Sequence, residues 1–405
     1  MIFERQLFPF QEFIENNKKI LAHTSKKFNP ETLGTHSNLT VKYIKKIYID
    51  KNLEDIFEKL GNIFWNDSQP LKELWEEMLL NTFYMHDVGK LNINFQIDKM
   101  NNKEFKKNPF LQGSNHSNFS SIIYLNYYFE KIKNICAQEK INKNSQNKLL
   151  YFLVLNSYII LRHHSKTKDF SLDFYKNFMK TDYNNLIEKI IEYCPNLNLN
   201  FNFGKKIADI LIKDRYTIGS KEWQETFEKQ EWDMIYIYLY VKLGYSLLVS
   251  GDFYATHEYA SGKPIASLNL LTNIDEYIEC FQNNEVYKGI AEHKRTGKHF
   301  KKGDINYYRS EMFLEAEKNL QLNKDKNIFF LEAPTGSGKT ITSINLALTL
   351  LEENRKLNKI FYIFPFNTLV EQTYESLTEI FDKEKIGVIN SITPITEEKK
   401  EESEQ

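Results

Sequence analysis

Residues 1–30 are only weakly periodic and residues 165–230 are polar with scattered apolar clusters. In the rest of the first 260 residues, apolar side chains recur at the three- and four-residue spacing of amphipathic helices, which predicts a largely helical domain. After the turn Asn29-Pro30-Glu31-Thr32, a predicted helix carries His36 at the head of an apolar face. A later helix presents one apolar face, formed by Leu71, Leu74, Trp75, Met78 and Leu79. His86 continues that face, so its side chain is expected to point into the domain.

Two longer apolar runs, residues 149–161 and 232–250, require a check for membrane spans. The first is too short to cross a bilayer, and the second carries Asp233 and Lys242. Both are interpreted as helices buried in a large core, so no membrane attachment is expected. Their polar ends are Arg162-His163-His164 and Ser250-Gly251-Asp252.

The pattern changes beyond residue 305, where apolar segments of strand length alternate with helices. A helix over 305–322 precedes a strand at 327–331, a loop of small residues, a second amphipathic helix and a strand at 360–364. This order predicts a β-loop-α-β unit, the beginning of a parallel sheet. The charged tail from Thr396 is predicted to be disordered.

Composition sets limits on the possible functions. With 405 residues and 41% hydrophobic content, the chain can form two domain cores. A net charge of -1 gives no general footprint for nucleic acid, so such binding must come from local patches. The 3 cysteines are far apart and fit reduced thiols in a cytoplasmic protein. The N-terminus lacks the pattern of a signal peptide.

The predicted domains are a helical domain over residues 1–275, a basic linker over 276–304 and a partial α/β domain over 305–405. The most basic run of the chain, residues 293–303, lies in this linker. Such runs are usually solvated, and a loop that binds a nucleic-acid strand is the alternative.

A small-residue loop, Ala333-Pro334-Thr335-Gly336-Ser337-Gly338-Lys339-Thr340, lies between the predicted strand and helix. The backbone N–H groups of residues 335–340 can surround the terminal phosphates of a nucleotide at a helix N-terminus. Lys339 would reach the β- and γ-phosphates, and the Thr340 hydroxyl would bind Mg²⁺. Ala333 replaces the first glycine of the general pattern, so the flanking strand and helix support the assignment. The predicted ligand is ATP with Mg²⁺.

Histidines and aspartates at the ends of apolar helices form a second candidate site. They are His36, His86, Asp87, His116, His163, His164 and Asp252. Helical bundles assemble buried metal sites in this way. The donor set favours Mn²⁺, Fe²⁺, Co²⁺, Ni²⁺ or Zn²⁺, unless availability selects Mg²⁺. Two ions bridged by Asp87 would activate a water molecule and hold a phosphodiester oxygen.

Taken alone, most of these residues have an ordinary interpretation. His36 fits a hydrogen-bonded core histidine, His116 an exposed loop residue, and Asp252 the N-cap of a following helix. The dipeptide His86-Asp87 alone fits a satisfied core or surface pair. The pair His163-His164 ends a helix that is apolar all round, and an exposed location explains it less well than an interior one.

These residues, in this order and followed by the phosphate loop, resemble the CRISPR-associated nuclease–helicases of type I systems. In that family an N-terminal HD domain, a helical bundle, is fused to a superfamily 2 helicase with RecA-like lobes. His86-Asp87 is similar to the HD motif, and residues 364–372 resemble helicase motif Ia. Gly89 is expected to permit a backbone turn. Lys90 is expected to be a mobile cation that orients a phosphate.

The resemblance implies two divalent metal ions in the helical domain. One would be bound by His36, His86, Asp87 and Asp252, and the other by Asp87, His116, His163 and His164. Asp252 departs most from the family, whose Ala-Asp-Arg motif is replaced here by Gly251-Asp252-Phe253.

The resemblance also implies that the helicase part is incomplete. The chain has motifs I and Ia but stops before the family's Asp-Glu-x-His motif and second RecA-like lobe. A truncated form is therefore expected, which binds ATP weakly and neither hydrolyses it efficiently nor translocates.

The leading hypothesis is a metal-dependent, monomeric nuclease that cuts single-stranded DNA opened by a guide-RNA surveillance complex. An HD phosphohydrolase acting on nucleotides is one alternative, because the same ligands serve that reaction. A catalytically silent nucleotide- or DNA-binding module is the other. The native metal, the polarity of degradation and the choice between endo- and exonuclease action stay open.

Overall fold

Most of the regular structure is helical, as the spacing of apolar residues predicts. The computed structural model describes residues 2–10, 20–65, 68–105, 116–165, 233–265, 273–355 and 357–389. Contacts within the chain separate two units, Met1–Ala266 and Ser267–Gln405. Each unit has its own hydrophobic core.

The first unit is a helical bundle with one small hairpin. Its elements are a 3-10 helix at Ile2–Glu4, β1 (Leu21–His23), β2 (Glu31–Thr32), α1 (Leu33–Asp50), α2 (Glu54–Trp65), α3 (Gln69–Tyr84), a 3-10 helix at Val88–Leu91, α4 (Ile93–Asp98), α5 (Ser117–Gln138), α6 (Lys143–Arg162) and α7 (Asp233–Ser261). β1 and β2 pair antiparallel, with Leu21 opposite Thr32 and His23 opposite Glu31.

The predicted turn before the first helix is confirmed at Thr32. Its side-chain hydroxyl accepts a hydrogen bond from the backbone N–H of Thr35 at 3.2 Å, which caps α1. Because the cap fixes where α1 begins, His36 lies in the first turn of the helix. His36, Tyr43 and Ile44 are buried on one face, as the periodicity predicts.

Aromatic side chains fill the centre of the bundle, where α3, α6 and α7 meet. The ring of Tyr240 lies 5.4 Å from Trp75 and 5.1 Å from Phe152, measured between ring centres. Each such ring buries a large apolar area and gains further from edge-to-face contacts. The same region carries polar bonds: Tyr240 donates to Asn156 Oδ1 at 2.6 Å, and Asn156 Nδ2 donates to the Tyr124 hydroxyl at 3.0 Å.

The two long apolar runs differ in burial. Residues 149–160 on α6 are all buried, as predicted. The run on α7 packs along one side only, since Ile235 is 50% and Tyr238 is 60% exposed. Burial of that run on all sides was therefore a wrong expectation, because α7 contacts α1 and α6 with a single face. Among the described helices, none is both long and apolar enough to span a membrane.

The second unit is also helical. Its elements are α8 (Ile274–Gln282), α9 (Glu285–Thr296), α10 (Ile305–Leu322), α11 (Lys339–Glu353), α12 (Asn367–Thr378) and a 3-10 helix at Lys383–Lys385. Its core includes Ile274, Phe281 and Ile290 together with Phe313 and Ile344. Much of the segment predicted as a basic linker thus forms α8 and α9, whose apolar faces pack within this unit.

The strands predicted at 327–331 and 360–364 are not found as paired strands. The sheet described in the chain consists of β1 and β2 alone. A strand is stabilised by the N–H and C=O groups of a neighbour, and these two segments are not paired. Tyr362 still contacts α11 through a 3.1 Å hydrogen bond with Ser343, whereas Phe361 and Ile363 are exposed.

Candidate metal centre

The seven predicted metal ligands converge in the first unit from five places in the chain. His36 lies in α1, His86 and Asp87 follow the C-cap Met85 of α3, His116 is the N-cap of α5, His163 and His164 follow α6, and Asp252 lies in α7. They form two groups that share Asp87, and within each group the ligand atoms lie within 4.8 Å of one another. The sets are His36, His86, Asp87 and Asp252, and Asp87, His116, His163 and His164.

In the first group, two imidazoles face two carboxylates. His36 Nε2 lies 3.1 Å from Asp252 Oδ1 and 3.4 Å from Asp87 Oδ2. His86 Nε2 lies 3.6 Å and 3.5 Å from the same two oxygens. Four ligand atoms therefore point at one small space between three helices.

In the second group, three imidazoles surround the other oxygen of Asp87. His116 Nε2 lies 3.1 Å and His163 Nε2 3.4 Å from Asp87 Oδ1. His116 Nε2 is also 2.8 Å from His164 Nε2. Asp87 thus directs one oxygen to each group, which is the arrangement of a bridging carboxylate.

The ends of two helices fix the orientation of two histidine rings. His86 Nδ1 lies 2.8 Å from the carbonyl oxygen of Phe83, and His163 Nδ1 lies 2.6 Å from that of Ile160. The last carbonyls of a helix have no intrahelical partner and are free to accept. A carbonyl only accepts, so Nδ1 carries a proton in both rings, and in the neutral form of each ring the Nε2 lone pair faces the cluster.

Several ligand atoms are buried without a hydrogen-bond partner. Among the described residues these include His86 Nε2, His163 Nε2 and Asp87 Oδ1, whereas Asp87 Oδ2 is paired with the Lys90 ammonium at 2.7 Å. Leaving such groups unsatisfied in a protein interior costs roughly several kcal/mol of folding free energy unless a cation pairs with them. The donor set and these unpaired atoms therefore fit divalent metal ions.

The surroundings keep both aspartates ionised. Burial raises the pKa of Asp87, but the Lys90 ammonium and the imidazoles of His86 and His116 outweigh it and hold that pKa well below its usual range. Burial likewise opposes ionisation of Asp252, and its contacts with His36 and His86 bring its pKa well below normal. Metal ligands must be deprotonated, so both carboxylates are ready to bind.

The histidines divide into two kinds. Burial and the neighbouring His163 lower the pKa of His164 to about 3, and burial also lowers that of His116. For His36, burial is outweighed by Asp252, Asp87 and Glu31, which raise its pKa to about 10. The neutral form is therefore favoured for His116 and His164, whereas a metal ion that bound His36 would have to displace a proton from it.

Two glycines allow the helices to approach closely enough to form the site. A Cβ atom at Gly89 would lie 2.0 Å from the carbonyl oxygen of His116, so the end of α3 and the start of α5 meet there. A Cβ atom at Gly251 would lie 2.3 Å from Ile44 Cγ1, where α7 meets α1. Gly89 lies in the 3-10 turn Val88–Leu91 without a left-handed φ, so the property this position requires is the absence of a side chain at the close approach.

Lys90 is fixed rather than mobile, which corrects the expectation from the sequence. Its side chain is buried, with Nζ 2.7 Å from Asp87 Oδ2. It donates to the carbonyl oxygen of Ala22 at 3.1 Å and lies 3.3 Å from His23 Nε2. A buried ammonium needs acceptors for its protons, and these three groups supply them.

Sequence reasoning missed two residues beside the cluster, His23 and Glu31. They form a third group with His36, in which His23 Nδ1 lies 2.8 Å and His36 Nδ1 3.4 Å from Glu31 Oε2. Burial raises the pKa of Glu31, but both histidines outweigh it and bring the value to about 2. The weak periodicity before residue 30 hid the hairpin, so only the tertiary structure brings His23 to the site.

The predicted nucleotide loop lies in the second unit. Gly336 and Gly338 have φ values of 78° and 87°, which residues with a Cβ atom rarely adopt. Lys339 and Thr340 are the first residues of α11, so the loop residues Thr335, Gly336, Ser337 and Gly338 precede a helix N-terminus. Lys339 Nζ donates to the carbonyl oxygens of Ala333 and Pro334 at 2.6 Å and 2.9 Å.

Comparisons with known proteins give two similarities. Residues 302–405 match the family model described as type III restriction enzyme, res subunit. Over 329 residues the chain is 23% identical to a CRISPR-associated nuclease/helicase Cas3 of Methanocaldococcus jannaschii. This alignment covers 76% of this chain and 39% of that protein. The chain thus spans well under half the length of this curated relative. No solved structure matches the chain.

Proposed function

We propose that this chain is a metal-dependent nuclease that hydrolyses single-stranded DNA in the defence reaction of a type I CRISPR system. The observation that supports this best is the pair of ligand groups joined by Asp87, with buried ligand atoms that lack hydrogen-bond partners. The similarity to a CRISPR-associated nuclease/helicase over 76% of the chain points the same way.

We infer the catalytic roles of the residues from their positions. Ionised Asp87 offers one oxygen to each group, and the Nδ1–H bonds of His86 and His163 hold their Nε2 lone pairs toward it. When bound, two divalent ions would supply Lewis-acid charge to the phosphodiester and to the water that attacks it. The Lys90 ammonium forms an ion pair with the carboxylate of Asp87 and keeps it ionised. A phosphate could bind this ammonium only by replacing one of its present acceptors, such as the carbonyl oxygen of Ala22.

The exposed side of the cluster indicates where the strand enters. His36, His86 and Asp87 are closed to solvent, whereas His164 is exposed and His116 is partly exposed. We therefore infer that the scissile phosphate approaches along the His116–His164 edge. Single strands can follow such an edge more easily than a duplex, because their backbone is flexible.

We assign the second unit to the motor part of such a protein and expect it to bind ATP with Mg²⁺ through residues 335–340. The match of residues 302–405 to a restriction-enzyme subunit family supports a nucleic-acid-processing role. The partners that follow from this assignment are single-stranded DNA and a guide-RNA surveillance complex.

The proposal is tested with labelled circular single-stranded DNA, Mn²⁺ or Co²⁺, and no ATP. We expect the circle to be opened and then degraded, because the ligands needed for hydrolysis all lie in the first unit. A preference for mononucleotides would instead identify a nucleotide phosphohydrolase. Binding of DNA without turnover in either metal would identify a catalytically silent module.

Replacing Lys339 by alanine is expected to weaken binding of a fluorescent ATP analogue. Loss of a charged contact with phosphate costs about 1.5–3 kcal/mol, which corresponds to roughly a 10- to 150-fold higher Kd. Lys318→Ala, at an exposed position of α10, provides the matched control and should bind like the wild type. Equal affinity of all three proteins would exclude this loop as the nucleotide site.

A further inference from the structure

The histidines that point Nε2 into the cluster need a partner for their other ring nitrogen. In metal sites this partner orients the ring and sets the tautomer. His86 and His163 use the free carbonyl oxygens of Phe83 and Ile160, because both histidines lie within two residues of the end of a helix. His36 is placed differently, since it lies near the start of α1.

At the start of a helix, carbonyl oxygens already accept intrahelical hydrogen bonds and N–H groups are the unsatisfied ones. His36 therefore has no free carbonyl in its own turn. Its ring is fully buried, and its Nδ1 has no hydrogen-bond partner of good geometry among the described residues. The acceptor that faces it is Glu31 Oε2, at 3.4 Å, from the neighbouring strand β2.

The hairpin holds Glu31 in place. His23 lies opposite Glu31 in the pairing of β1 with β2, and His23 Nδ1 is 2.8 Å from Glu31 Oε2. Lys90 Nζ lies 3.3 Å from His23 Nε2. An ammonium only donates, so His23 accepts at Nε2, carries its proton on Nδ1 and donates it to Glu31.

A buried glutamine anchors β1 beside the cluster. Gln96 Oε1 accepts from the backbone N–H of Leu21 at 2.9 Å, and Gln96 Nε2 donates to the carbonyl oxygen of Leu21 at 2.8 Å. Gln96 Nε2 also donates to the carbonyl oxygen of Lys90 at 2.8 Å. The strand that carries His23 is therefore tied to the segment that carries Asp87 and Lys90.

We propose that Glu31 is a positioning residue for His36, held in place by His23, and that this hairpin gives the metal group of His36, His86, Asp87 and Asp252 its affinity. The inference rests on the proposed function, because it assumes that this group binds a metal ion. Glu31 acts through His36 and does not itself bind the ion. A metal ion inserted between His23 and Glu31 would have to break their 2.8 Å hydrogen bond.

The test measures metal binding as well as activity. Binding of Mn²⁺ to the metal-free full chain is followed by calorimetry, and Co²⁺ binding by its absorption spectrum. Loss of an outer-shell partner typically lowers metal affinity about 10- to 100-fold. Glu31→Ala is therefore expected to lower the affinity for one of the two ions by this factor. The affinity of the Asp87-His116-His163-His164 group for its ion should not change.

Two further variants separate positioning from general stability. Glu31→Gln keeps the shape and a neutral acceptor, so its affinity should fall between those of the wild type and Glu31→Ala. If Glu31→Ala does not fold, the expected loss of affinity in Glu31→Gln decides the question. Glu76→Ala removes another buried carboxylate, one paired with Arg5, and should bind both ions like the wild type.

The outcomes distinguish this inference from the proposed function. Two ions in the wild type with unchanged affinities in Glu31→Ala and Glu31→Gln would overturn the role of Glu31 alone. Three ions in the wild type would also overturn it, because Glu31 would then be a ligand. A wild-type chain that binds no Mn²⁺ or Co²⁺ would overturn the proposed function together with this inference.

Discussion

Replacing Asp87 by asparagine is expected to abolish metal-dependent cleavage of single-stranded DNA. Asparagine keeps the shape of the side chain, but its amide nitrogen cannot bind a metal ion and its charge is lost. Both ligand groups lose a member, since Asp87 directs Oδ2 to one and Oδ1 to the other. Losing several kcal/mol of charge stabilisation corresponds to a rate loss on the order of 1,000-fold or more.

The measurement is the initial rate of opening of circular single-stranded DNA in Mn²⁺, combined with the metal content of the protein by mass spectrometry. Asp55→Asn makes the same chemical change at an exposed position of α2 and should leave both quantities unchanged. A circle opened at the wild-type rate by Asp87→Asn would exclude this cluster as the active site.

The same substitution also changes the environment of Lys90. The buried ammonium loses its carboxylate partner at 2.7 Å, and breaking a buried ion pair by removing one partner costs about 3–5 kcal/mol. Circular dichroism of the metal-free variant therefore accompanies the assay. Asp87→Glu retains the charge, so it should fold better than Asp87→Asn while still cleaving poorly because its carboxylate is displaced.

Replacing Gly89 by alanine is expected to destabilise the first unit strongly. The added Cβ would lie 2.0 Å from the carbonyl oxygen of His116 and 2.5 Å from the backbone nitrogen of Ser120. These are backbone atoms of α5, so the helix itself must shift. Overpacking of this kind typically costs about 1–3 kcal/mol, and a contact with backbone is at the upper end.

The shift has a second consequence, because α5 begins at the metal site. His116 is its N-cap, and the Gly89 N–H donates to Ser120 Oγ at 2.8 Å. Gly89→Ala should therefore lower the midpoint of urea unfolding and also weaken metal binding by the group that contains His116. Gly387→Ala, where an added Cβ meets no atom within 4 Å, provides the control. An unfolding midpoint equal to that of the wild type would contradict the close packing of these segments.

The sequence by itself determined much of this protein. Helical periodicity placed His36 on the buried face of α1 and His86 and Asp87 at the end of α3, because burial of an apolar stripe fixes which way a helix faces. The small residues around Gly336 and Gly338 predicted a loop before a helix N-terminus, and in the structure both glycines have a positive φ, which glycine adopts without steric cost.

Other features were decided by the tertiary structure alone. The contacts of Lys90 and the hairpin with His23 and Glu31 depend on strands and helices far apart in the chain, and periodicity carries no information on such pairings. The segments 327–331 and 360–364 have strand-like composition but do not pair, because β structure depends on a neighbouring strand more than on its own sequence. Local sequence thus determined which face of a helix such as α1 or α3 is buried, and long-range packing determined which polar groups contact one another.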